Sequence, residues 1–105
     1  MDLRGKKLAL LLSVPPDHAN FSHCARLAET AIQRGVEVYL YCIDEGVRGA
    51  EDPRLLALSQ RGARLFACAF ALRQRNLRAP GSAVQAGLAM LGDLIAGTDR
   101  FLSFN

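Results

Sequence analysis

The residues best suited to chemistry in this sequence are three cysteines, Cys24, Cys42 and Cys68, and two histidines, His18 and His23. The cysteines are odd in number, far apart and form no C-x-x-C pair. They lack the spacing of a metal site, so no metal is expected. Free thiols suit a reducing cytoplasm, where a cysteine acts chemically rather than as half of a bridge. Cys68 is the best placed. It follows the apolar run Ala63–Ala67 and precedes a short segment of helical character, Ala69–Arg75. A thiol between a strand end and a helix start meets free N–H groups and the positive end of the helix dipole. Both favour thiolate, the nucleophilic form. Arg73 and Arg75 add positive charge nearby in sequence. The plain alternative is that Cys68 is a small core residue, since free cysteine is commonly buried.

The other candidates are weaker. Cys24 falls on the apolar stripe Phe21, Cys24, Ala25, Ala28, Ala31 and Ile32, and reads as core. Cys42 shares a strand face with Val38 and Leu40 and also reads as core, although it lies near a strand's carboxyl end. His18 and Asn20 belong to the loop Pro15–Asn20. A histidine brought close to a thiol can act as base or ion-pair partner. His23 reads as a solvated helix residue and Asp17 as a cap.

Positioning these groups requires regular elements, and the pattern supplies them. Lys7–Val14 is a continuous apolar run, as in a strand buried on both faces, and Pro15-Pro16 stops it. A helix from about Asp17 or Asn20 to Arg34 follows, closed by Gly35. Val36–Ile43 is a β-branched and aromatic strand, and Asp44–Ala50 a polar, glycine-containing loop. Asp52-Pro53 starts a helix with Leu55, Leu56 and Leu58 that ends at Gly62. Ala63–Ala67 is the third strand. Ser82 caps a last helix with the stripe Val84, Leu88, Leu91, Leu94 and Ile95, closed by Gly97. Arg100–Phe104 is the final strand. Four strands alternating with helices predict a single α/β domain over residues 1–105, with a mostly parallel sheet flanked by helices on both faces. A flavodoxin-like order would set the first strand beside the third. The loop Pro15–Asn20 would then approach Cys68 at a topological switch point.

Composition narrows the function. The net charge is +3, and the arginines are scattered rather than gathered on one face with aromatics, so no nucleic acid is expected as a partner. Leu8–Leu12 is too short for a signal peptide, and no segment reaches membrane-spanning length, so no membrane is expected. A nucleotide or flavin site on such a sheet would need a glycine-rich cradle after the first strand. Ser13-Val14-Pro15-Pro16-Asp17 stands there instead, with prolines that lack donors and an aspartate that repels phosphate.

The stretch Gly62-Ala63-Arg64-Leu65-Phe66-Ala67-Cys68-Ala69-Phe70-Ala71-Leu72-Arg73-Gln74-Arg75 resembles the DsrE/DsrF-like family of TusD-type sulfur-relay proteins. In that family a glycine opens a strand, a cysteine ends it, and a short helix with an alanine and arginines follows. Asp44-Glu45-Gly46-Val47 is similar to the family's acidic-Gly-Val turn, and Asp99–Phe104 to its final strand. Asn76 stands where the family often has glycine. The resemblance implies a DsrE-like α/β fold related to flavodoxin, assembly into a homo-oligomer (trimer or hexamer), and a persulfide on Cys68. The protein would then be a cytoplasmic sulfur carrier of sulfurtransferase type, working between sulfur-donor and sulfur-acceptor proteins and needing no cofactor. Arg73, Arg75, His18 and Asn20 are the expected neighbours of the sulfur. Two other readings stand beside it: a non-catalytic oligomeric subunit of a sulfur-trafficking complex, and a flavodoxin-like binder of a nucleotide or small molecule.

Overall fold

The structure, a computed structural model, describes residues 2–105. Its elements run β1 (Lys7–Leu12), α1 (Ala19–Gln33), β2 (Glu37–Cys42), a 3₁₀ turn (Asp44–Gly49), α2 (Pro53–Gln60), β3 (Arg64–Cys68), α3 (Ala69–Gln74), β4 (Ala83–Ala86), α4 (Leu88–Gly97) and β5 (Arg100–Phe104). The sheet has five strands in the order β4-β3-β2-β1-β5, every neighbouring pair parallel.

Two expectations are corrected here. The segment after Ser82 is first a strand, β4, and the helix begins only at Leu88. Val84 lies on that edge strand, 58% exposed, rather than on a buried helical stripe. The helix buries Leu94, while Leu88 and Ile95 face outward. The second correction concerns order: β2 stands between β1 and β3, so β1 and β3 are not neighbours. The chain steps one strand at a time from β1 to β4 and then returns, through α4, to the far side of β1. The switch point therefore lies between β1 and β5. Right-handed crossovers put the connections of the outward steps on one face and α4, which runs backward, on the other.

Register tells the two faces apart. Leu10, Leu40, Leu65 and Leu102 stand abreast on one face, and Cys42 and Ala67 follow on it. Ala9, Tyr39 and Arg64 lie on the opposite face with Tyr41, Phe66 and Val84, then Cys68 and Ala86. Helix α1 packs its stripe into the first face, burying Phe21, Cys24, Ala25, Ala28 and Ala31 as its spacing predicts. Helix α2 starts where Asp52-Pro53 predicts, with the Asp52 carboxylate accepting from the Arg54 N–H at 2.9 Å. The Arg54 guanidinium then donates to Ser22 Oγ and the Pro16 carbonyl and lies 4.5 Å over the Phe21 ring. One side chain thus ties α2 to α1 and to the loop after β1.

The 3₁₀ turn crosses closely over the end of β1. A Cβ at Gly46 would stand 2.0 Å from the Leu12 carbonyl oxygen, an atom that already accepts from the Ile43 N–H. Gly46→Ala is expected to destabilise the fold by about 3 kcal/mol, the upper range for overpacking, because a backbone atom opposes the new methyl. Gly92→Ala, in α4 with open space around it, is expected to stabilise by about 0.5 kcal/mol through helix propensity. Urea unfolding of the two variants checks both signs.

Candidate functional site

All three cysteines are free and buried. Two of them are packing atoms. Cys24 is fully covered on α1, and burial pushes its thiol up to about 12. Burial does the same to Cys42, with the neighbouring Cys24 adding to the shift. Neither thiol supplies thiolate near neutral pH, in agreement with their reading as core.

Cys68 is built differently. It is the last residue of β3 and the N-cap of α3, as its sequence position predicts. It is nevertheless only 3% exposed. The cover is Tyr41. On the face they share, Tyr41 stands abreast of Phe66, and Cys68 lies two residues further along β3. Tyr41 starts on β2, yet its hydroxyl donates to the Ala86 carbonyl at 3.2 Å and the Gly87 carbonyl at 2.9 Å, at the end of β4. Strand β3 lies between β2 and β4, so the ring must pass over it. It does so stacked beside Phe66, centroids 6.4 Å apart and 18° between planes. Ala86 is the register partner of Cys68 across β3 and β4, so that path brings the hydroxyl into the neighbourhood of Cys68. Burial pushes the Tyr41 phenol up to about 12, and the charge and hydrogen bonding of Cys68 add to it. The surroundings of Cys68 are therefore a hydroxyl and a strand end, and not hydrocarbon alone.

The other expected residues sit at the end of α3 and around the start of α1. Arg73 and Arg75 stand at the carboxyl end of the six-residue α3, about 8 and about 10 Å along the helix axis from Cys68 at its N-cap. Arg73 is exposed. Arg75 donates to Glu45 on the 3₁₀ turn and to the Ala71 carbonyl, so it fastens α3 to the turn after β2. Arg75 first, and then Arg48, holds the Glu45 carboxyl below its ordinary range. His18 is the N-cap of α1, its Nδ1 accepting from the Asn20 N–H at 3.0 Å. It follows β1, two strand spacings or about 10 Å of sheet width from β3, because β2 intervenes. Asn20 donates from Nδ2 to the Asn105 carbonyl at 2.7 Å, and its Oδ1 lies 3.2 Å from His23 Nδ1. These residues organise the β1–β5 end of the sheet. The sequence reading missed Tyr41. Its signal was a phenol inside an apolar strand, whose polar tip needs a partner when buried.

No family model and no curated protein matches the chain. Among solved structures it is similar to the ychN protein from E. coli, with TM-score 0.79 and 14% identity over 94% of this chain and 98% of that one. It is also similar to a conserved protein of unknown function from Bacteroides thetaiotaomicron, with TM-score 0.61 and 18% identity over 93% and 94% of the two chains. The fold is DsrE-like, an α/β parallel sheet with flanking helices in one domain. Among the described residues no helix is long and apolar enough to cross a membrane.

The raised thiols make stability depend on pH. Below about 9 both Cys24 and Cys42 are protonated whether the chain is folded or not. Above it the unfolded chain releases protons that the folded chain retains up to about 12. Stability is then fully present below pH 9 and falls between about 9 and 12, by up to about 1.4 kcal/mol per pH unit for each thiol. Urea unfolding across that range is expected to show the fall, and Cys24→Ala is expected to remove one thiol's share of the slope.

Proposed function

We propose that the protein carries sulfur as a persulfide on Cys68. The observation that supports this most is the placement of Cys68 at the carboxyl end of β3, at the N-cap position of α3 and near the Tyr41 hydroxyl. In the loading step the Cys68 thiolate attacks the outer sulfur of a donor persulfide. A new S–S bond forms at Cys68, the donor's S–S bond breaks, and the donor leaves as thiolate. In the discharge step an acceptor thiolate attacks the outer sulfur on Cys68, which leaves as thiolate in turn. Both steps are thiol exchange and need no external oxidant. The donor and acceptor are proteins presenting cysteine sulfur, and the compartment is the cytoplasm, where such sulfur stays reduced.

Reaction requires that Cys68 be uncovered, since it is 3% exposed. Arg73 and Arg75 serve this reading as the charge and the tether of α3, and His18 and Asn20 as the frame of the β1–β5 end. The apolar side chains left outside, Phe70 at 59%, Val84 at 58% and Leu88 at 64%, support assembly with further copies, as a trimer or hexamer.

The burial of Cys68 favours one second reading, a subunit that assembles with partners and does no sulfur chemistry. Intact-mass measurement after treatment with a sulfane donor separates the two. The wild type is expected to gain the mass of one sulfur atom, reversed by a small thiol, and Cys68→Ala is expected to gain none. Equal gain by both proteins, or no gain by wild type, removes the carrier reading.

A further inference from the structure

We propose that Tyr41 is a positioning residue for Cys68 and a latch over it: its single hydroxyl proton goes to the Ala86 and Gly87 carbonyls while Cys68 is a neutral thiol, and to the sulfur when Cys68 is an anion. The proposal rests on the sulfur-carrier reading for its purpose, and on geometry for its mechanism.

The geometry is a matter of counting donors. A phenol has one proton to donate and lone pairs to accept with. The Tyr41 hydroxyl divides that proton between two carbonyls, at 3.2 and 2.9 Å. A neutral thiol beside it is a weak donor and can point its proton at the phenol oxygen. A thiolate, or the terminal sulfur of an ionised persulfide, is an acceptor only, and a charged one. Hydrogen bonds to a charged acceptor are about twice as strong as neutral ones. The proton therefore swings from the carbonyls to the sulfur as the charge appears. No covalent bond is made or broken in this step.

The swing has a consequence at a distance from the sulfur. Ala86 ends β4 and Gly87 is the N-cap of α4. Losing the tyrosine's bond frees both carbonyls at that corner, with exposed Val84 just before it and exposed Leu88 just after it. The edge strand has only four residues and pairs with β3 alone, so the corner is held by few other bonds. The charge state of a buried sulfur is thus displayed at the surface of the β4–α4 corner, while the hydroxyl stays over Cys68 as a donor to the sulfur.

The charged groups on the elements around Cys68 are Arg64 on β3, Asp44, Glu45 and Arg48 on the 3₁₀ turn, Arg73 and Arg75 on and just after α3, and Asp93 on α4. Strand β4 brings none, and on β2 the one near the sulfur is Tyr41 itself. Glu45 is occupied by Arg75 and Arg48. Tyr41→Phe leaves all of these charges in place and keeps the ring, so it isolates the hydroxyl.

The test is the rate of Cys68 alkylation by iodoacetamide as a function of pH, read by peptide mass. Tyr41→Phe is expected to raise the midpoint of the profile, through loss of the donor to the thiolate. It is also expected to raise the plateau rate severalfold, because the thiolate is freed from the phenol's hydrogen bond. A purely structural role for Tyr41 would move the plateau and leave the midpoint. The second measurement uses wild type alone: the amide NMR shifts of Gly87 and Leu88 are expected to titrate with the midpoint of Cys68 alkylation, and Cys68→Ala to abolish that titration. A midpoint unchanged or lowered in Tyr41→Phe overturns the proposal, as do Gly87 and Leu88 amides indifferent to Cys68. Neither measurement loads sulfur, so failure of the latch and failure of the carrier reading are seen separately.

Discussion

Tyr41 stands on β2 and its hydroxyl is fastened to the end of β4, so its ring is obliged to cross β3. Much of the site follows from that crossing. It stacks against Phe66 and places a hydroxyl near Cys68. The crossing in turn depends on strand order. If β1 rather than β2 were the neighbour of β3, a different residue would lie over the cysteine. The stepwise sequence of right-handed crossovers from β1 to β4 sets which side chains share a face, and thus what the thiol meets.

The charge around the site is organised for structure. Arg75 pairs with Glu45 and binds α3 to the turn after β2, so the helix that Cys68 caps is held at its far end. Arg54 does similar work between α1, α2 and the loop after β1. What remains for the sulfur is short-range: the backbone at a strand end and one phenol. Under the proposed carrier role, burial of Cys68 would protect the sulfur between transfers at the cost of an opening step.

Much of this was legible in the sequence. The continuous apolar run of β1, the stripe of α1 and the Asp52-Pro53 start of α2 are strong local signals, and each element lies where they indicate. The place of Cys68, at the join of a strand and a short helix, was legible for the same reason. Strand β4 was not. Ala83-Val84-Gln85-Ala86 has one β-branched residue and a spacing that continues into the stripe of α4, so the local pattern favours helix, and pairing with β3 overrides it. Strand order was illegible because it is fixed by the return of α4 to β5, a long-range event. Arg73 and Arg75, near Cys68 in sequence, stand at the far end of the helix that follows it, and the pairing of Arg75 with Glu45 is a long-range contact that sequence does not show. Tyr41 is distant from Cys68 in sequence, and only register brings them together.

The most direct test of the account is a crystal structure of the protein after exposure to a sulfane donor. The account predicts one additional sulfur atom bonded to Cys68 Sγ, with the Tyr41 hydroxyl turned toward it and away from Ala86 and Gly87, and Cys24 and Cys42 unmodified. An unmodified Cys68 beneath an unmoved Tyr41, with sulfur added elsewhere or nowhere, would contradict it.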